Sequence, residues 1–413
     1  MRRDIAGTRL DALTGLRFFA ALAVVLYHET SPHFDGAPAW LERYLSSGYV
    51  SVSLFFVLSG YILAYNYLPA GRRAALRAPQ FWSARVARIY PVYALGLVLG
   101  LPLFVNKLLV QGGTPGSMAA EGLGVVAAAT SLLQAWIPGT ACRLNCPGWS
   151  LSVEAFFYLV FPVLGLLLAR IPARRLPAAL VLAWGASVGL LVGVRVAAVR
   201  GAAAAGIALG AGWWDPVASF PLLRLGEFTF GILLGLLFLA RRERAADGAA
   251  WAAPLAPAAL VGIAALLPLE LPEPLGVARQ QLLVPLFGLL VFGLAHGRGI
   301  VARALSLPSV VLLGEASYAL YILHVPIHSL MGAVDQIAGL GVHDTPLWFP
   351  AYLATAVAAS LAAYRWVEVP SRDRVRSYLA RRLGAGARGE WEAGPRTGHA
   401  EPASELVAER ASA

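Results

Sequence analysis

Apolar runs of about twenty residues follow one another along most of this chain, and they decide what it can fold into. A backbone surrounded by hydrocarbon has no water to bond with, so runs of this length must close their hydrogen bonds internally, as helices. Ten runs are read, near residues 12–30, 50–69, 89–108, 149–169, 176–198, 218–240, 250–269, 280–296, 309–330 and 346–366. Only 14% of the 413 residues are charged, against roughly 25% in a soluble protein. The expected fold is all-α: a polytopic membrane helix bundle of about ten transmembrane helices, multi-pass in the cell membrane and in contact with the lipid bilayer.

Charge orients the runs. Arg72, Arg73, Arg77, Arg85 and Arg88 follow the second, Arg170, Arg174 and Arg175 the fourth, and Arg241, Arg242 and Arg244 the sixth. Arg298 and Arg303 follow the eighth, and Arg372, Arg374, Arg376, Arg381 and Arg382 the tenth. Basic residues are retained on the cytoplasmic side, so both termini are expected in the cytoplasm. The intervening loops carry Glu42, Asp215, Glu270, Glu273, Asp335 and Asp344. The net charge of +10 thus reads as topology, and no nucleic-acid partner is expected.

Residues 119–137 are apolar enough for an eleventh span, but one there would put Arg170, Arg174 and Arg175 outside, so they are read as re-entrant or interfacial. The start, MRRDIAGTRL, is like that of a signal peptide, yet no small-residue cleavage site follows, and a retained first helix is expected. Residues 1–383 are read as one membrane domain and 384–413, polar and rich in Ala, Gly and Glu, as a disordered cytoplasmic tail. Cys142 and Cys146 fall in an outer loop, where a disulfide is allowed but needs a tight turn.

Ionisable residues inside such runs are costly and usually functional. Arg17 and His28 share the first run, eleven residues apart. That is about three turns, so both leave one helix face roughly 16 Å apart. Imidazole suits general-base work near neutral pH, and guanidinium suits phosphate or carboxylate. A snorkelling arginine and an interfacial histidine are the plain alternative. Ser59 and Gly60, within Phe55-Phe56-Val57-Leu58-Ser59-Gly60-Tyr61, read on their own more as helix packing than as a site.

Arg85 and Arg88, one turn apart, suit an anionic cofactor or lipid phosphates. Glu154 lies one and a half turns into the fourth run, at a depth near His28, with Tyr158 a turn below. Arg224 and Glu227 are spaced for an intrahelical pair or for a site. Ser317, Tyr321, His324 and His328 form one polar stripe on an apolar helix. Glu368 stands where it can hold the inner arginines.

Taken in order across residues 13–370, these segments resemble the bacterial membrane-bound acyltransferase family 3, integral-membrane O-acyltransferases of surface glycans and macrolides. The matching pieces are Arg17 through His28 (an Arg-x10-His), Phe-Phe-x-Leu-Ser59-Gly60-Tyr61, Arg85-x-x-Arg88-x-Tyr-Pro, Trp149-Ser-Leu-Ser-Val-Glu154, the Pro221/Arg224/Glu227 block, Ser317 through His324-x-Pro, and Trp-Val-Glu368-x-Pro. The resemblance implies transfer from an acyl-CoA co-substrate, acetyl-CoA in the first instance, to a hydroxyl of a carbohydrate or macrolide, with no metal.

On it rest the expected roles: His28 and Glu154 catalytic; Arg17, Arg85, Arg88, Ser59 and Tyr61 binding the donor; Arg224, Tyr321 and His324 binding the acceptor. Many relatives carry an appended extracytoplasmic domain, and this chain is expected to be the membrane module alone. The competing class is a transporter or flippase, which would use the same buried polar residues without making a bond; no inverted repeat supports it.

Overall fold

The computed structural model describes residues 10–33, 38–69, 76–204, 219–242, 250–269, 271–272 and 275–383. Its helices are α1 (Asp11–His33), α2 (Ala39–Leu45), α3 (Ser51–Tyr67), α4 (Ala78–Gln111), α5 (Pro115–Thr130), α6 (Trp149–Leu168), α7 (Leu176–Ala204) and α8 (Pro221–Arg242). They continue with α9 (Leu255–Leu266), α10 (Val284–Ala295), α11 (Gly299–Leu305), α12 (Pro308–Glu315), α13 (Ser317–Ala338), α14 (Trp348–Ala363) and α15 (Val369–Leu383). A π-helical segment, Tyr364–Glu368, joins the last two. Among the described residues no strand occurs. The expected tail, 384–413, lies outside them, as do Arg72, Arg73, Asp215, Arg244, Glu270 and Glu273.

Among the described residues seven helices are long and apolar enough to cross a membrane, and eight if the pair α10 and α11, bent by 78°, counts as one broken span. Two expected spans are shorter than that: 250–269 is represented by the twelve-residue α9 and 346–366 by the sixteen-residue α14. The ninth differs most. Residues 309–330 are not one helix, because the chain breaks at Ala316 and restarts at Ser317, whose hydroxyl donates to the Gly314 carbonyl at 2.7 Å. Gly314 allows this corner by lying against the α1 backbone at Thr14, where any side chain would collide.

Two contacts set the frame. Gly60 of α3 faces Phe228, Gly231 and Ile232 of α8, while Gly231 and Gly235 face Val57, Tyr61 and Ala64 in return. The small residues bring the two backbones together, as lipid-embedded helices require in place of a hydrophobic driving force. Across the seam Phe157 of α6 stacks on Phe228, ring centroids 4.6 Å apart.

The second contact involves the irregular stretch 131–148. Pro326 in α13 has no N–H, which frees the carbonyl of Ile322, and Asn145 donates its amide to that carbonyl at 3.1 Å. A Cys142–Cys146 disulfide encloses Asn145. Gln134 holds the other end of the stretch, donating to the Tyr93 hydroxyl at 2.9 Å and the Gly148 carbonyl at 2.7 Å.

Candidate active site

Helix α1 carries Arg17 and His28 toward different neighbours. Around Arg17 lie Arg88 of α4, Glu154 and Tyr158 of α6, and Glu368 of the π segment, all within electrostatic reach. Glu154 accepts hydrogen bonds from the Ser59 hydroxyl at 3.2 Å and from the Tyr158 hydroxyl. Arg85 is buried, its guanidinium carbon 5.8 Å from the rings of Tyr67 and Phe81 and 5.9 Å from that of Tyr158. It also donates to the Tyr67 hydroxyl at 3.3 Å. Aromatic faces thus offset the desolvation of that charge. Glu368 is buried facing Arg88, Arg17 and Arg372, the role its position in the sequence suggested. The π segment turns it inward by inserting an extra residue into the helical turn. This end of the bundle therefore holds more guanidinium than carboxylate, a recess that suits an anion.

At the other end of α1, His28 meets α13. Its Nδ1 lies 2.9 Å from the Val24 carbonyl and 3.3 Å from Nε2 of His324. The two rings stand edge to face, centroids 4.9 Å apart. One residue along, Glu29 meets His328 at 3.4 Å. The Tyr352 hydroxyl donates to the His324 carbonyl at 3.3 Å, and the rings of Tyr352 and Trp348 lie 5.2 and 5.6 Å from that of His328. Glu29 and Tyr352 were not expected here. The signal that could have found Glu29 is the cost of a carboxylate inside the first apolar run, the same cost that singles out Arg17 and His28.

A third group joins these. Arg224 and Glu227 form a buried pair at 2.8 Å, with Arg224 5.7 Å from the Trp149 ring. Glu227 also accepts from Ser53 at 2.6 Å and from Gln281 at 3.4 Å. Tyr321 bonds Ser150 and lies in the field of Glu154 and Arg224, which connects the arginine recess to this group. Replacing Arg224 with leucine strands a buried carboxylate. R224L is expected to cost roughly 3 kcal/mol of stability, and the double variant R224L/E227L to recover most of it. Unfolding midpoints in detergent would read this; an equal loss in the double variant would mean that the cost of R224L does not come from a stranded carboxylate.

Two expected placements change. Glu154 sits with the arginines and Ser59, where the cations draw its carboxylate, rather than beside His28. Tyr61 is fully buried, its ring 6.4 Å from that of Tyr65 and 5.8 Å from that of Phe238. It belongs to the wall between α3 and α8, its backbone against Gly231 and Gly235 and its ring against Phe238. Arg85 lies in the field of Glu154 and Arg88 in that of Glu368, and Ser59 joins them through its bond to Glu154.

The acyltransferase-domain family model, Acyl_transf_3, matches residues 10–365. The chain belongs to this acyltransferase family. It is a multi-pass integral membrane protein and an enzyme that transfers acyl groups other than amino-acyl groups. The chain is 31% identical to acyltransferase MdmB of Streptomyces mycarofaciens, over 78% of this chain and 81% of that protein. It is 30% identical to the exopolysaccharide production protein ExoZ of Rhizobium meliloti, over 84% and 96%. To O-acetyltransferase OatA of Staphylococcus aureus it is 24% identical, over 88% of this chain and 57% of OatA. No solved structure matches.

Proposed function

We propose that this acyltransferase moves an acyl group, acetyl in the first instance, from acyl-CoA to a hydroxyl of a glycan or macrolide, with His28 as general base. The observation that carries the reading is the division of labour along α1, with an arginine-rich recess around Arg17 and a histidine pair around His28. The two residues are eleven positions apart on one helix, roughly 16 Å. Such a separation fits a donor whose phosphates and thioester are joined by a long flexible arm, as they are in acyl-CoA. The names O-acetyltransferase and exopolysaccharide production among the relatives support a hydroxyl acceptor.

Arg17, Arg85 and Arg88 hold the donor phosphates on the cytoplasmic side, where acyl-CoA is made. The acceptor hydroxyl attacks the thioester carbonyl carbon while His28 takes its proton; the C–S bond breaks and the departing thiolate takes the proton back. Glu154 keeps Arg17 and Tyr158 in place beside the donor.

Membranes containing the full chain, given labelled acetyl-CoA and an extract of envelope glycans, are expected to release free CoA thiol only when the extract is present. Label crossing the membrane with the thioester intact would point to a carrier and overturn the reading.

A further inference from the structure

We infer that His324 is the positioning residue of His28: its bare Nε2 receives the Nδ1–H of His28 and so fixes Nε2 of His28 as the basic nitrogen. The inference rests on the reading of His28 as the base and replaces the expectation that His324 binds the acceptor.

Each ring nitrogen can be assigned from what faces it. His324 Nδ1 lies 2.8 Å from the Tyr321 carbonyl and 3.2 Å from the Leu320 carbonyl. A carbonyl oxygen only accepts, so Nδ1 carries the hydrogen, and in neutral imidazole Nε2 is then the lone-pair nitrogen. That Nε2 points at Nδ1 of His28, 3.3 Å away. His28 Nδ1 also faces a carbonyl, that of Val24 at 2.9 Å, so it too carries hydrogen. One N–H of His28 is therefore shared between an oxygen and a nitrogen that both accept. The other nitrogen of His28 is left as the base, and a proton arriving there is stabilised from behind. A histidine here does what a carboxylate does in the Ser-His-Asp arrangement: it fixes tautomer and orientation without touching substrate.

His324 has nothing left for an acceptor. It is fully buried, both its nitrogens are engaged, and its backbone carbonyl takes the Tyr352 hydroxyl at 3.3 Å. Its place on α13 is itself pinned, because Asn145 caps the carbonyl that Pro326 frees half a turn earlier.

The test compares H324Q with H324N in membranes containing the full chain. The probes are labelled acetyl-CoA and an extract of envelope hydroxyl compounds. Glutamine reaches about as far as Nε2 of histidine and keeps an acceptor against His28; asparagine, one methylene shorter and equally polar, does not. H324Q is expected to keep most of the turnover, and H324N to lose about ten- to a hundredfold in kcat, part of the factor a positioned base supplies. The acetyl-CoA KM and the half-saturating amount of extract should stay within about twofold, since nothing that touches substrate has been changed. Equal rates in the two variants overturn the inference, and so does a loss confined to half-saturation with extract. H28A, run alongside, separates the two levels: turnover in H28A overturns the base itself, whereas an inactive H28A with equal H324Q and H324N overturns His324 alone.

Discussion

Replacing His28 with alanine is expected to lower acyl transfer by about a hundredfold to ten-thousandfold, the range a positioned general base supplies. The geometry makes the substitution selective. His28 is only partly buried, so its loss leaves a small space at the α1–α13 contact rather than a hole in the core. The arginine recess draws on α3, α4, α6 and the π segment and needs nothing from the His28 end of α1. H28A should therefore still bind acetyl-CoA while failing to transfer it. Initial rates with labelled acetyl-CoA, set beside equilibrium binding of the same donor, would show this. Loss of binding together with turnover would make His28 a donor contact and remove the base from the mechanism.

Gly60→Val is expected to remove folded protein altogether. A Cβ at Gly60 would land on the Phe228 carbonyl oxygen, 2.9 Å from the Ile232 nitrogen and 3.1 Å from the Gly231 carbonyl carbon. All three are backbone atoms of α8, and none can rotate away as a side-chain tip would. Overpacking a core usually costs about 1–3 kcal/mol because side chains yield. Here whole helices would have to separate, which would open the stacked Phe157–Phe228 contact as well. Size-exclusion profiles of detergent-solubilised G60V are expected to show aggregate or nothing, with G60A intermediate. A monodisperse G60V at wild-type yield would mean that the seam between α3 and α8 has room to spare.

How much of this was legible follows from what each signal measures. The run 50–69 became Ser51–Tyr67 and 149–169 became Trp149–Leu168, because a long apolar stretch leaves the backbone no alternative to a helix. The break at Ala316 was invisible, since hydropathy is blind to a corner made possible by one glycine against a neighbouring backbone. Arg17, His28, Ser59, Arg85, Arg88 and Glu368 could be found because charged and polar groups stand out against hydrocarbon. Depth alone did not say which of them meet. Glu154 and His28 looked level, yet the carboxylate was taken by Ser59 and Tyr158 and by the field of Arg17. Tyr61 stands in a conspicuous motif but serves the wall, and Glu29 takes its meaning from His328, which only the packing of α13 on α1 brings to it.

Helix α4 also works as a depth gauge. Arg85 and Lys107, the only lysine in the chain, lie 22 residues apart, about 33 Å along the axis, close to the ~30 Å thickness of a bilayer's hydrocarbon core. Between them the helix exposes Val86, Val98, Leu101 and Val105. The two cations thus stand about one hydrocarbon thickness apart along the helix, with Arg88 one turn further along from Arg85. An anion gripped there is not held in bulk water. If the donor phosphates bind there as proposed, anionic lipid headgroups would become rivals for the same address.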